Sequence, residues 1–245
     1  DLTVSVDPVF GSAVTAGNTY DPGNADVSSY REGAYLPSAT PEINDQVNDC
    51  NENGDCESFS GSDTLTAGTY YTEDMNDFQD LTLDTDGGDI AVVLNDVHGD
   101  GITDPGTITV TGDGNATVYL NTEEEFEMTG GNNRINPDGD ASQFSMYVRS
   151  NVDISFNGNV EYNGGLYAPK SQLSGSGSGC ENGNGGGGGG SVTVTGSIIV
   201  DEFCFQAGSA SFEFDEDMET LNSGIATNNI QYLHVSENTV RVDLE

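Results

Sequence analysis

The stretch Ser191-Val192-Thr193-Val194-Thr195-Gly196-Ser197-Ile198-Ile199-Val200-Asp201-Glu202-Phe203-Cys204-Phe205, continued to Phe214, decides the fold. Its apolar residues come in alternating pairs: Val192 and Val194, Ile198 and Val200, Phe203 and Phe205, Phe212 and Phe214. Each pair reads as a short strand with one buried face. Gly196 and Gly208 mark corners between them. Short strands that turn in succession fit one coil of a β-solenoid, where strands stack coil on coil into continuous parallel sheets.

Working outward, residues 152–156, 160–162 and 166–168 repeat the pattern, and further short strands are expected at 81–83, 90–94, 107–110, 117–120, 126–128 and 144–148. The fold class is therefore all-β, a right-handed parallel β-helix. The alternative is a β-sandwich, which would place hairpins at Asn157-Gly158 and Asn163-Gly164 where a solenoid places corners. Coil lengths do not follow a strict period. A short helix is expected around Pro41 to Val47, with Pro41 at its first position.

The chain divides into an N-terminal extended arm over 1–20, a loop-rich segment over 21–62, the solenoid over 63–220, and a C-terminal hairpin over 221–245. Residues 175–191, with glycines throughout 185–190, cannot bury a core and read as a flexible insertion. No stretch is apolar enough to cross a membrane as a helix.

Among 245 residues, 42 are acidic and 5 basic, a formal net charge of −37. Nucleic-acid binding through a basic surface is excluded, because phosphate neutralisation needs clustered Lys and Arg. Docking on an anionic membrane is excluded for the same reason. The acids are scattered along the chain and lysine occurs once, at Lys170. That composition resembles extremely halophilic archaeal proteins. At ~1 M salt the Debye length falls to roughly 3 Å, which screens most self-repulsion. The rival is an acidic, calcium-loaded matrix protein, whose carboxylates would cluster in repeated loops.

Cys50, Cys56, Cys180 and Cys204 allow three pairings. Local pairing, Cys50 with Cys56 and Cys180 with Cys204, is the expectation, since neither gap suits zinc. Together with the sequon Asn115-Ala116-Thr117, a candidate glycosylation site, the cysteines favour an oxidising, extracellular setting. The chain opens on Asp1 without an initiator Met, so removal of an export signal or pilin-like anchor is expected.

Several stretches, in order, carry a resemblance: Leu36-Pro37-Ser38-Ala39-Thr40-Pro41, Leu65-Thr66-Ala67-Gly68-Thr69-Tyr70-Tyr71, Asp86-Gly87-Gly88-Asp89-Ile90, Gly165-Leu166-Tyr167-Ala168-Pro169, Gly196-Ser197-Ile198-Ile199-Val200 and Tyr232-Leu233-His234-Val235. They resemble an uncharacterised haloarchaeal surface-protein domain with a β-helix, over about residues 35–245. Members often follow a pilin-like N-terminal anchor, whose removal from this chain is the expectation given above. The resemblance implies a surface location and no particular reaction.

Candidate sites are few. Asp96, Asp100 and Asp104 with Gly101 match oxygen positions of a calcium loop, although His98 and Thr107 fall where further oxygen ligands belong. Calcium is the only cofactor this suggests, and a polar Asp/Gly turn is the plainer reading. Residues 136–140 and 84–89 are weaker versions. His98 and His234 are the only imidazoles, and no Gly-x-Ser-x-Gly elbow accompanies them, so no enzyme is expected. A polysaccharide-active β-helix enzyme is the lesser alternative, because 42 acids leave carboxylate pairs for glycoside hydrolysis open, and a cluster of them in a cleft would favour it. Exposed Tyr162 and Tyr167 in a groove would instead favour a glycan-binding or adhesive module that contacts neighbouring cells.

The sharpest functional candidate is the N-terminal strand, with Leu2, Val4, Val6, Val9 and Phe10 ahead of a glycine-rich linker. Such an arm can add to a sheet edge of another copy. Repeated head to tail, that contact builds a filament or surface layer of one chain. The competing reading has the strand cap the first coil of its own chain.

Overall fold

The computed structural model describes residues 36–54, 56–129, 133–175, 190–205, 209–213, 215 and 218; 53, 203–205 and 209–210 are described by backbone alone. Six short strands are described by backbone in the same way: Leu2–Val4, Val9–Phe10, Ala13–Val14, Tyr20–Asp21, Asp26–Val27 and Tyr30–Arg31. Every pairing among the described strands is parallel. The chain is thus a parallel β-helix; a sandwich joined by hairpins would need antiparallel pairs.

The strands stack on three faces. The first runs from Glu57–Ser58 through Gly68–Thr72, Ile90–Asn95, Ala116–Asn121 and Phe144–Val148 to residues 165–168 and 197–200. The second stacks Ile102–Thr103, Phe126–Met128, Asp153–Phe156, 172–175 and 202–205. The third stacks Thr64–Leu65, Thr82–Asp84, Thr107–Thr111, Asn133–Ile135, 160–162, 191–195 and Ser209–Glu213. Strands Val160–Gly175 and Ser191–Phe205 each bend across all three faces, so the stretch read as separate short strands is one continuous element per coil.

In-register stacking lines the interior with columns of like residues. Val92, Val118, Met146, Leu166 and Ile198 form one column on the first face. Ile102, Phe126, Ile154 and Leu173 form another on the second. The thickest packing is aromatic: Phe156 stacks on Tyr162 at 5.7 Å and meets Phe126 edge-on at 6.5 Å, while Phe144 meets Tyr162 at 6.1 Å. Tyr162 is fully buried, and its hydroxyl donates to the Gly165 carbonyl at 3.0 Å, as a buried polar group requires. Burial drives its pKa far above the ordinary tyrosine value. Gly164 is needed beside this cluster, since a Cβ there would lie 2.8 Å from Phe144 Cδ1.

The first face is covered on its outside too. Helix α1, Thr40–Asn48, forms where a helix was expected, starts one residue before Pro41, and buries Ile43 and Val47. Beneath it lies an outward column in register: Val93, Tyr119, Tyr147 and Tyr167. Tyr119 and Tyr147 stack at 5.6 Å, and Tyr147 and Tyr167 lie 5.7 Å apart. The Tyr167 hydroxyl donates to the Pro37 carbonyl at 2.7 Å, and Ser38 and Thr40 hydrogen-bond Ser150. Burial, with Glu42 nearby, raises the Tyr119 pKa. A disulfide between Cys50 and Cys56 then ties the end of this strap to the first strand of the solenoid. The segment read as loops therefore carries the helix that covers a face.

One corner is a polar ladder. Asn95 donates to the Tyr71 hydroxyl at 2.8 Å, Asn121 to Asn95 at 2.7 Å, and Arg149 to Asn121 at 3.0 Å. Each side chain satisfies the one in the coil before it, which lets amides sit half-buried at the turn. The C-terminal hairpin expected over 221–245, and most of the glycine-rich insertion, lie outside the described residues.

Removing the ring at the centre of the aromatic packing, Phe156→Ala, should lower the unfolding free energy by about 3–5 kcal/mol. Cys50→Ser should lower it by about 2 kcal/mol, the chain-entropy value for a loop this short. Denaturant melts in molar salt measure both.

Candidate assembly site

The described N-terminal strands lie on the far end of their own solenoid. Leu2–Val4 pairs with 203–205, Leu2 opposite Phe203 and Val4 opposite Phe205. Val9–Phe10 pairs with the last described strand of the third face, Val9 opposite Ser211 and Phe10 opposite Phe212. Tyr20–Asp21 then pairs with Leu2–Val4, and Asp26–Val27 with Val9–Phe10. Ala13–Val14 and Tyr30–Arg31 pair with each other. Residues 2–31 therefore add two further parallel layers beyond the last coil.

The coil order in space differs from the order along the chain. The polypeptide starts at one end of the solenoid, returns along the outside as α1, and begins the main stack at the other end. The strand caps the last coil of its own chain, where a cap on the first coil was the competing expectation. The physical reason is direction: Leu2–Val4 and Val9–Phe10 fall on the second and third faces in the same sequence as 203–205 and Ser209–Glu213, so they continue that coil in register. Val6 lies outside the described residues.

This seam joins the first residues of the chain to residues about 200 positions later, with no covalent link across it in the described residues. It completes hydrogen bonding along a sheet edge that would otherwise present unpaired N–H and C=O groups. Cys204 sits in this seam, its backbone in register with Thr3 on one side and Ser174 on the other. Its expected partner, Cys180, lies outside the described residues.

Of the three aspartates of the expected calcium loop, Asp96 and Asp104 are engaged in separate hydrogen-bond sets. Asp96 Oδ1 accepts backbone N–H groups of His98, Gly99 and Asp100 at 3.2, 2.7 and 3.2 Å. Its Oδ2 accepts the Gly101 N–H at 3.0 Å and the Thr122 hydroxyl at 2.8 Å. A carboxylate whose lone pairs are turned toward so many donors closes a turn and offers little to a cation. Gly101 fits here with φ +63° because a Cβ would stand 2.6 Å from the Glu125 carbonyl oxygen. Asp104 faces the other way, accepting from Thr129 N–H at 2.6 Å and Asn133 at 2.7 Å in the next coil. Asp100 is exposed. Among the described residues no group of three or more His, Cys, Asp or Glu side chains converges as a metal site.

The other candidates fall where chemistry is poor. Tyr162 is buried in the core and Tyr167 is covered by the strap, so the proposed aromatic groove is not formed. His98 is exposed on the Asp96 turn, and His234 lies outside the described residues. Asn115 is exposed at a corner between the third and first faces. Sequence reading missed the outward tyrosine column. The signal was present, since Tyr119, Tyr147 and Tyr167 interrupt strands whose other outward positions are mostly polar.

The described residues thus define the class as a three-faced parallel β-solenoid, with its own N-terminal strands added at one end and a strap along one face. Within that class the chain belongs to the family described as a domain of unknown function, DUF7305, whose model matches residues 22–221. The match takes in α1 and the main stack and ends before the Tyr232-Leu233-His234-Val235 stretch. Comparison with curated proteins and with solved structures finds no match.

Desolvation, the largest single influence on Asp96, acts to raise its pKa; the hydrogen bonds from Gly101, Thr122, Asp100 and Gly99 outweigh it and hold the carboxyl below its ordinary 3.8. The loop's contribution is therefore full above that value and is lost as pH falls through the lower folded-state value. Asp96→Asn should be less stable at neutral pH and lose less stability on acidification below about pH 4. Denaturant melts between pH 7 and pH 2 test this.

Proposed function

We propose that this chain is an extracellular structural protein of a halophilic archaeon, a subunit of a surface filament or surface layer that joins copies of itself through its N-terminal strands. It is not an enzyme in this reading. The observation that carries it is the seam: strands near residues 2–10 complete the last coil by parallel backbone pairing. The same strands from a second copy would meet the same edge with the same register. That exchange is heterologous, because the donated strands and the accepting edge are different surfaces; repeated with a rotation that does not close a ring, it builds an open head-to-tail polymer.

Composition supports the setting, since a net charge of −37 opposes close association except where salt or cations screen it. The Cys50–Cys56 disulfide supports an oxidising compartment. No described helix is long and apolar enough to cross a membrane.

Electron microscopy of native material in molar salt tests the reading: ordered polymers are expected, and dispersed monomers at every concentration would overturn it. Deleting residues 1–31, which carry both added layers, should leave the main stack folded and unable to polymerise. Dilution of salt from molar to about 0.1 M, where the Debye length grows to about 10 Å, should shorten or dissolve the polymers.

A further inference from the structure

We propose that Asn115 carries an N-linked glycan, placed on the side wall of the solenoid and away from both ends. The proposal rests on the extracellular part of the reading above and is independent of polymerisation. Asn115-Ala116-Thr117 is the single Asn-x-Ser/Thr sequence with x other than Pro in the chain. The structure puts it where a transferred sugar has room. Asn115 is exposed at the end of the turn that leads from Thr107–Thr111 on the third face to Ala116–Asn121 on the first, and Thr111 and Asp113 in the same turn are exposed as well.

The local contacts hold the asparagine without enclosing it. Its backbone N–H donates to Asp89 Oδ1 at 2.9 Å, and its side-chain Nδ2 donates to the same oxygen at 3.3 Å. Asp89 belongs to the matching corner one coil earlier, since Ala116 stands in register with Ile90. The neighbouring Ala116 is buried and anchors the strand, so the corner is rigid beneath an exposed amide. In glycosylation the Nδ2–C1 bond forms as the C1–O bond of a lipid-linked sugar (di)phosphate breaks. The lipid (di)phosphate leaves with the electron pair, and one amide proton is lost to the transferase's base. The product amide keeps one hydrogen, enough to retain the Asp89 contact.

The position also fits the seam. Asn115 lies in the middle of the stack, with Gly68–Thr72 and Ile90–Asn95 on one side and Phe144–Val148 and two further layers on the other. A glycan there clothes the side of a rod and leaves its ends clear for strand exchange.

The test is mass spectrometry of the peptide spanning Asn115, from protein collected at the surface or in the medium of the organism that makes it. A mass increase of one or more sugar residues on Asn115 is expected, with the increase lost in Asn115→Gln and in Thr117→Ala and kept in Thr117→Ser. Thr117→Ala leaves the asparagine and its Asp89 contact in place, so loss there reports the sequon and not the fold. An unmodified Asn115 on exported protein would overturn the glycan while leaving the extracellular reading intact. Protein found only in the cytoplasm would overturn both.

Discussion

The whole molecule depends on one constraint: each strand must hydrogen-bond in parallel and in register to the strand one coil away. Parallel pairing buries both edges of every interior strand and forces like positions into columns. Where the column faces inward it becomes core, as in Val92, Val118, Met146 and Leu166. Where it faces outward on the first face it becomes the tyrosine stack that α1 covers. Where it falls at a corner it becomes the asparagine ladder or the carboxylate-closed turns at Asp96 and Asp104. One register rule thus assigns three chemistries to residues that repeat at irregular spacing along the chain.

The ends are where that constraint becomes a liability. A stack of parallel strands terminates in an open edge, and the edge at 203–205 and 209–213 is closed by the chain's own first strands. Closure between segments this distant in sequence carries a loop-closure cost that grows only slowly with length. An arrangement of this kind can be made within one chain or between two, because backbone pairing does not distinguish them. The opposite end is protected differently: Glu57–Ser58 and Thr64–Leu65 are short, and Glu57 and Asp63 place charge beside them.

The acidic surface acts through the solvent. Carboxylates scattered on outward positions and corners are spaced by the same coil geometry, and Arg134 with Glu161 and Arg149 with Glu123 form ion pairs between coils at 3.5 and 3.0 Å. Exposed pairs of this kind add little. Cohesion comes from the apolar columns and the backbone ladder, both of which persist at high salt, where charge repulsion is weakest.

The sequence by itself determined the local character of this protein: alternating strands, glycine corners, a proline-started helix near 41, the Cys50–Cys56 tie and the unsuitability of the surface for polyanions. These are readable because they depend on neighbours in the chain, through period, turn chemistry and charge. Asn115 was legible as a motif, and the fold added its exposure. The tertiary structure alone decided which strands stack, because register between coils of unequal length is set by packing and not by a repeat. It alone turned Asp96 from a candidate ligand into a turn-closing acceptor, since which lone pairs are occupied depends on how Gly99, Asp100 and Gly101 fold back. It also buried Tyr162 and covered Tyr167, and it carried the N-terminal strands to the last coil. An alternating strand read in isolation can pair with any open edge, and only the folded stack shows which edge matches its direction and register.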